Sequence, residues 1–264
     1  MNLLSDNCIY TFDGSLEGFL SVVFRAYEEK REPRAIISRR SKAQLPMGEV
    51  VQVDTHPDQA VRVSKGIVER SDKRTLRLLH VAFLTESAQV NSLLWRYLKK
   101  LFSAPAGAYH RNLLDQEVYD LVQTARRVRK EVHRFHGFLR FQRTKDDMYA
   151  AAIDPDNDIL RLLAPHFRAR FPDREWVIYD TRRRYGIWFD KHCIREVEME
   201  DEAFSPDSGR IRQSARAHDE DYYASLWQHY YDAINIIERK NHRQMRAFMP
   251  KRYWKYLPEK NKGS

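Results

Sequence analysis

The segment WVIYDTRRRYGIWFD, residues 176–190, contains two short apolar runs on either side of a basic turn. β-Branched and aromatic residues favour extended structure, and a polar cluster between two such runs is typical of a hairpin. We therefore predict strands at 175–179 and 187–190 joined by the turn 181–185. Three consecutive arginines lie in that turn: Arg182, Arg183 and Arg184.

A second strand pair is predicted upstream, where apolar residues at 138–142 and 148–153 flank the polar turn 144–147. The sequence between the two pairs, from Ile159 to Phe171, has apolar residues at helical spacing. The order is therefore strand, strand, helix, strand, strand. This order favours an antiparallel sheet with a helix packed on one face.

The first half of the chain is dominated by helical patterns. A short strand at 8–12 is followed by Ser15, a residue suited to cap a helix, and the region 35–55 contains an extended segment. The helices are predicted at 16–27, 59–70, 73–84, 90–102 and 115–135. This half is expected to be a mostly helical region, residues 1–136.

The last part of the chain is predicted as a polar surface loop at 204–218, a long helix at 220–241 and a basic tail. The apolar face of that helix consists of Tyr223, Leu226, Trp227, Tyr230, Ile234 and Ile237. The whole is an α+β protein in which residues 137–264 carry the sheet, closed by the C-terminal helix. Both regions could also belong to one continuous domain.

The chain of 264 residues has 46 Lys and Arg against 37 Asp and Glu, a formal net charge of +9. A surplus of this size favours polyanionic partners such as DNA or RNA, although it can also serve solubility. With 42% hydrophobic residues the chain can bury a substantial core. The charge therefore points to a nucleic-acid partner, and the hydrophobic content indicates that the chain is folded rather than disordered.

Only two cysteines are present, Cys8 and Cys193. Two cysteines exclude a disulfide scaffold and a four-cysteine zinc or iron–sulfur site from this chain alone. The sequence shows no signal peptide, no membrane span, no phosphate-binding glycine loop and no recognisable cofactor motif. We therefore expect a cytoplasmic location, no cofactor, no metal and no membrane contact.

Basic residues interleaved with aromatic residues are the clearest functional pattern. Arginine and lysine neutralise phosphates, and aromatic rings stack on unpaired bases. The predicted contacts to nucleic acid are Arg134, Arg140, Arg143, Arg170, Arg182, Arg183, Arg184, Arg239, Arg243, Lys251, Arg252 and Trp254. Some of these charges have a structural alternative, because cations at a helix C-terminus stabilise the helix dipole.

Three residues are candidates for acid–base chemistry: His166, Asp180 and Glu238. His166 shares a helix face with Arg170, and Asp180 ends a strand, where functional carboxylates often lie. Two of them also have a structural alternative: His166 can be a hydrogen-bonded structural histidine, and Asp180 can serve in a turn.

Several motifs resemble those of a bacterial protein family of unknown biochemical activity that is assigned to DNA metabolism or repair. They span most of the chain, and they are Tyr10–Ser15, Phe135-x-x-Phe138-x-x-Phe141, His166-Phe167-x-x-Arg170-Phe171, Trp176-x-Ile178-Tyr179-Asp180, Leu226-Trp227-x-x-Tyr230, Glu238-Arg239-x-Asn241 and Met249-Pro250-x-Arg252-Tyr253-Trp254-Lys255. The resemblance implies DNA and a radical S-adenosylmethionine (radical SAM) protein as partners, and a link to uracil-DNA-glycosylase-like domains. It supplies no catalytic residues.

Three hypotheses follow. The first is a DNA-binding accessory protein in DNA repair or modification that holds or presents DNA to the radical SAM enzyme. The second is a DNA-processing enzyme of glycosylase, lyase or nuclease type that uses His166 or Asp180. The third is a protein adaptor that never meets DNA. The lack of a recognisable catalytic set favours the first.

Overall fold

The computed structural model describes residues 4–5, 7–41, 46–87, 89–198, 204–205, 209–233 and 242–260. Its contacts divide the chain into two compact units, residues 1–129 and 130–264, whereas the sequence places the boundary near Gly137. None of the helices within the described ranges combines the length and the hydrophobicity needed to cross a membrane.

Unit 1 contains five short strands and the helices that follow them. The strands are β1 Leu4–Ser5, β2 Cys8–Phe12, β3 Arg31–Glu32, β4 Ala35–Ser38 and β5 Glu49–Gln52. The helices are α1 Leu16–Glu28, α2 Pro57–Arg70, α3 Lys73–Phe83, α4 Val90–Ser103 and α5 Gln116–Phe138, which continues into unit 2.

The core of unit 1 is built around β2, the central strand of a parallel sheet with the order β4-β2-β5. All five residues of β2 are buried, as expected for a parallel strand that is covered on both faces. The predicted strand at 8–12 is confirmed, and so is the cap: the Ser15 hydroxyl accepts the Gly18 N–H at 2.9 Å. The sequence predicts a mostly helical region here and does not predict this three-stranded sheet.

Unit 2 contains a five-stranded sheet, one helix joining two of its strands, and a helical C-terminal part. Its strands are β6 Gln142–Arg143, β7 Tyr149–Ile153, β8 Trp176–Asp180, β9 Tyr185–Phe189 and β10 Ile194–Val197. Its helices are α6 Leu160–Arg170, α7 Glu220–Ala233 and α8 His242–Phe248, followed by the 3-10 turns Lys251–Tyr256 and Pro258–Lys260.

The sheet of unit 2 has the order β10-β9-β8-β7-β6. The α+β class is confirmed, but the prediction of a purely antiparallel sheet is wrong, because β7 and β8 run parallel. Helix α6 connects them, and a crossover of this kind returns the chain to the edge at which β7 began. The other three neighbouring pairs are antiparallel.

Three other predictions for unit 2 differ from the structure. The strand predicted at 138–142 is reduced to Gln142–Arg143, because α5 continues to Phe138. In the described part of the predicted loop 204–218, Phe204 is buried and stacks on Tyr179 at 5.6 Å. Helix α7 covers the first part of the helix predicted at 220–241, and residues 234–241 lie outside the described residues.

Candidate nucleic-acid interface

The carboxyl ends of the parallel strands β7 and β8 lie side by side, with Ile153 paired to Asp180. The loop that follows β7 and the arginine turn that follows β8 therefore leave the sheet at the same edge. In α/β sheets this edge is where ligands commonly bind, because the loops that leave it are held close together. It is the natural starting point for a functional site in unit 2.

Asp180 has a structural position in the turn between β8 and β9. Its carboxylate accepts the backbone N–H groups of Arg182 at 2.9 Å and Arg183 at 3.0 Å, and the Arg183 guanidinium at 2.6 Å. Burial raises the pKa of Asp180, and the positive charge of Arg183 opposes that rise. The side chain is fully buried, so Asp180 shapes the turn and does not face a substrate.

Arg183 fixes this turn to the loop after β7. In addition to Asp180, its guanidinium contacts the carbonyl oxygens of Pro155 at 3.3 Å and Asp156 at 3.1 Å. Only 11% of its side chain is exposed. Of the three consecutive arginines, Arg182 and Arg184 are the two exposed ones, and Arg182 forms an ion pair with Asp154 at 3.3 Å.

The basic tail also contacts this loop. The Arg252 guanidinium pairs with the Asp156 carboxylate, and Lys255 lies 3.6 Å from Asp154. These contacts place the arginine turn and the C-terminal tail, about 70 residues apart in sequence, around the loop Asp154–Asn157. The fold therefore brings together two basic segments that the sequence showed separately.

A buried carboxylate on α5 holds this arrangement together. Glu131 is 3% exposed and accepts the backbone N–H groups of Asp156 at 2.8 Å and Asn157 at 3.0 Å. It also accepts the Asn157 side-chain amide at 2.6 Å and the Tyr253 hydroxyl at 2.8 Å. The sequence analysis missed Glu131. The available signal was that it is the only acidic residue between Asp120 and Asp146.

Replacing Glu131 with Gln is expected to lower the free energy of unfolding by about 2–3 kcal/mol. The amide NH₂ would face donors that now share a carboxylate, so at least one buried N–H loses its acceptor. Urea unfolding followed by tryptophan fluorescence measures this, since four of the five tryptophans lie in unit 2. Glu198→Gln is the matched control at an exposed position; equal stability of the two variants would contradict the assigned role of Glu131.

Helix α8 and the end of α5 add further positive charge beside the tail. The Arg134 guanidinium donates to the carbonyl oxygen of Ala247 in α8 at 3.4 Å, and Tyr253 packs on the ring of Phe135 at 5.0 Å. We define the basic surface as the cations carried by these connected elements. Its members are Lys130, Arg134, Arg182, Arg184, Arg243, Arg246, Lys251, Arg252 and Lys255.

The other residues predicted to contact nucleic acid have different surroundings. Arg140 pairs with Glu259 at 2.7 Å, and Arg143 pairs with Asp219. Arg170 is exposed at the end of α6. Trp254 is partly buried, and its indole N–H donates to the Met249 carbonyl at 3.0 Å. Two further predicted residues lie outside the described residues: Glu238 and Arg239.

His166, the second acid–base candidate, stacks on another histidine. Its ring centroid lies 3.9 Å from that of His136 with an interplanar angle of 14°, and Phe167 meets it edge-on. The His136 Nε2 atom is buried with no hydrogen-bond partner among the described residues. His166 and Asp180 therefore have different partners, and the structure does not join them into an acid–base pair.

The histidine stack predicts a loss of stability in acid. Burial lowers the pKa of His136 below its ordinary value of 6.5, and charge on His166 or His133 lowers it further. The contribution of neutral His136 to the free energy of unfolding is therefore complete above pH 6.5, and it is lost as the pH falls toward the pKa of His136 in the folded state. Urea midpoints at pH 7.5 and 5.5 measure the effect. We expect His136→Phe to show a smaller decrease than the wild type; an identical decrease would exclude His136 as its source.

Comparison with known proteins gives one match. A family profile described as a domain of unknown function, DUF4130, matches residues 88–259, about two thirds of the chain. The matched range includes all of the basic surface. No match is found among curated proteins or among solved structures.

Proposed function

We propose, for a chain that belongs to the DUF4130 family of domains of unknown function, that it is an accessory protein that binds DNA through its basic surface. The observation that carries this proposal is the convergence of the arginine turn and the basic tail on the loop Asp154–Asn157. A helix, a turn and a tail that each carry cations offer several phosphate contacts at once, as backbone recognition requires.

The acidic residues within the basic surface do not cancel its charge. Asp154 lies between Arg182 and Lys255, and Asp156 pairs with Arg252. Two carboxylates thus offset part of three cations, while exposed residues of α8 and the tail, such as Arg243 and Lys251, add charge. Ion pairs of this exposed kind are weak, so their arginines can exchange a carboxylate for a phosphate.

A binding role is favoured over a catalytic one by the position of Asp180. A general acid or base must lie within hydrogen-bond reach of the substrate proton. Asp180 is fully buried beneath Arg183, so a substrate cannot reach it without opening the turn. Asp180, one of the three acid–base candidates from the sequence, thus supports the shape of the basic surface.

The finer part of the proposal concerns the biological context. The sequence motifs resemble those of a family encoded beside a radical SAM protein, and on that basis we propose such an enzyme as the partner and DNA repair or modification as the process. Sedimentation of the two purified proteins, alone and mixed, tests the partnership. Independent sedimentation at micromolar concentration would contradict it.

DNA binding itself is tested by the fluorescence anisotropy of a labelled oligonucleotide titrated with the intact protein. The logarithm of the affinity should fall linearly with the logarithm of the salt concentration, because each neutralised phosphate releases counterions. An adaptor for an acidic protein would show no such binding. If neither single- nor double-stranded DNA nor RNA binds at low salt, the proposed function is wrong.

A further inference from the structure

A groove separate from the basic surface lies between the segment 140–143 and helix α7. Its volume is about 560 Å³, within the range of pockets that hold small ligands. Aromatic and basic side chains share its lining: Phe141, Tyr149, Tyr223 and Trp227 with Arg140, Arg143, Arg210 and Arg216. Two carboxylates, Glu220 and Asp221, also line it, so the arginines are in excess. This combination suits a ligand with both an aromatic ring and an anionic group.

Two lining residues, Arg140 and Trp227, are held by a buried glutamate. The Glu259 carboxylate accepts the Arg140 guanidinium at 2.7 Å and the Trp227 indole N–H at 3.0 Å. The guanidinium of Arg140 also lies over the indole ring, 5.2 Å from its centroid. Burial acts to raise the pKa of Glu259, but the hydrogen bonds from Arg140 and Trp227 and the positive charge of Arg140 act together in the other direction, and the pKa is lowered. The carboxylate is therefore charged at neutral pH and holds both side chains in place.

Hydrogen bonds of the Arg143 backbone anchor the segment 140–143 to the start of α7. The Arg143 N–H donates to the Glu220 carboxylate at 2.8 Å, and its carbonyl accepts the Ala217 N–H at 3.0 Å. The chain before α7 thus extends the edge of the sheet, with Thr144 bridged to Arg216. These contacts within the chain hold the lining residues in place, which lowers the ordering cost of binding a ligand.

Two features of the lining indicate what the groove fits. Tyr223 and Trp227 remain 56% and 39% exposed, which is unusual for large aromatic side chains beside a cavity. The Nε atoms of Arg140 and Arg216 are buried without a hydrogen-bond partner among the described residues. The groove therefore presents exposed aromatic surface beside arginine side chains.

We propose that this groove takes one unpaired nucleobase with its adjacent phosphate, so that the protein prefers single-stranded DNA or an unpaired position over an intact duplex. The base would stack on Tyr223 and Trp227, and the phosphate would meet the arginines. A paired base is unavailable, because its faces are covered within the duplex. This inference rests on the proposed function and deepens it. The basic surface contacts the phosphates of any DNA, and the groove selects DNA that has an unpaired base.

The test compares three ligands of about twelve nucleotides, a length within the usual site size of single-strand binding proteins. They are oligothymidylate, the same backbone with abasic residues, and a duplex. Wild-type protein should bind oligothymidylate about tenfold more tightly than the abasic strand. Tyr223→Ala should remove most of that difference and leave duplex affinity unchanged. Tyr119→Ala is the matched control, because Tyr119 is an exposed tyrosine, 48% accessible, and does not line the groove.

The outcomes separate this inference from the proposed function. Equal affinity of the wild type for oligothymidylate and the abasic strand overturns the groove assignment, as does a Tyr223→Ala variant that keeps the full preference. In both cases salt-dependent binding to the duplex can persist, and the proposed function then stands. Failure of all three ligands to bind at low salt overturns both. Circular dichroism of Tyr223→Ala that matches the wild type shows that the change is local.

Discussion

Replacing Arg183 with Met is expected to lower the free energy of unfolding by about 3–5 kcal/mol, the largest stability effect that we predict for a single surface-turn residue. The reason is that Asp180 is fully buried and depends on the Arg183 guanidinium for compensation of its charge. Met keeps the aliphatic stem of arginine but offers no charge and no donor. The variant leaves a buried carboxylate without its cation and two loop carbonyls, those of Pro155 and Asp156, without their donor.

Arg184→Met provides the matched control for this prediction. Arg184 follows Arg183 directly, its side chain is exposed, and its backbone N–H donates to the Asp180 carbonyl oxygen at 2.8 Å, a bond that Met keeps. Its replacement should change stability by less than about 0.5 kcal/mol. Urea unfolding by tryptophan fluorescence compares both variants with the wild type. Equal effects at the two positions would mean that the Asp180–Arg183 pair does not stabilise the turn.

The contrast between these neighbouring arginines shows what the sequence could and could not predict. The strands on either side of the turn were predictable, because apolar runs and a polar turn are local signals. The different roles of Arg182, Arg183 and Arg184 were not, because they depend on the loop after β7. That loop lies beside the turn only because β7 and β8 are parallel, and a local pattern does not determine strand direction.

The same limit explains the sheet of unit 1. The sequence predicts β2 and its capped helix, but β2 pairs with segments that begin 27 and 41 residues further along, at Ala35 and Glu49. Short segments of four residues carry too few apolar positions to specify a partner. Long-range pairing is decided by how the whole unit packs, which single-sequence periodicity does not describe.

Helix α7 shows the limit in another form. Helical spacing correctly groups Tyr223, Leu226 and Trp227 on one face. A periodic apolar face normally packs on a core, yet these side chains remain 56%, 46% and 39% exposed. Periodicity identifies the members of a face and not what covers it. A function for this exposed face is indicated by the groove beside it, which helical periodicity does not describe.

Neutralising the exposed cations of α8 and the tail is the second large effect that we expect. The triple variant Arg243→Gln, Arg246→Gln and Lys251→Gln should weaken DNA binding about tenfold or more at low salt. All three side chains are exposed, so the fold should be preserved. Each lost phosphate contact lowers the salt slope by about 0.9, so a variant that loses all three should show a slope smaller by about two to three.

A matched control separates the basic surface from the overall charge. Arg168→Gln, Arg174→Gln and Arg195→Gln remove three exposed positive charges of the same unit at other places. Arg174 precedes β8 and thus lies at the end of the strand opposite Asp180. Both triple variants carry the same net charge. If DNA binding depended only on net charge, both triple variants would lose the same affinity. If DNA binds to the basic surface, only the variant of α8 and the tail loses affinity.

The salt dependence of DNA affinity, measured for the wild type and both triple variants with one duplex oligonucleotide, tests the central claim most directly. The basic surface predicts a steep slope for the wild type and a nearly unchanged slope for the control variant. It predicts a slope reduced by about two to three for the variant of α8 and the tail. Equal slopes for the two variants, or no DNA binding by the wild type at low salt, would contradict the assignment of this surface to nucleic acid.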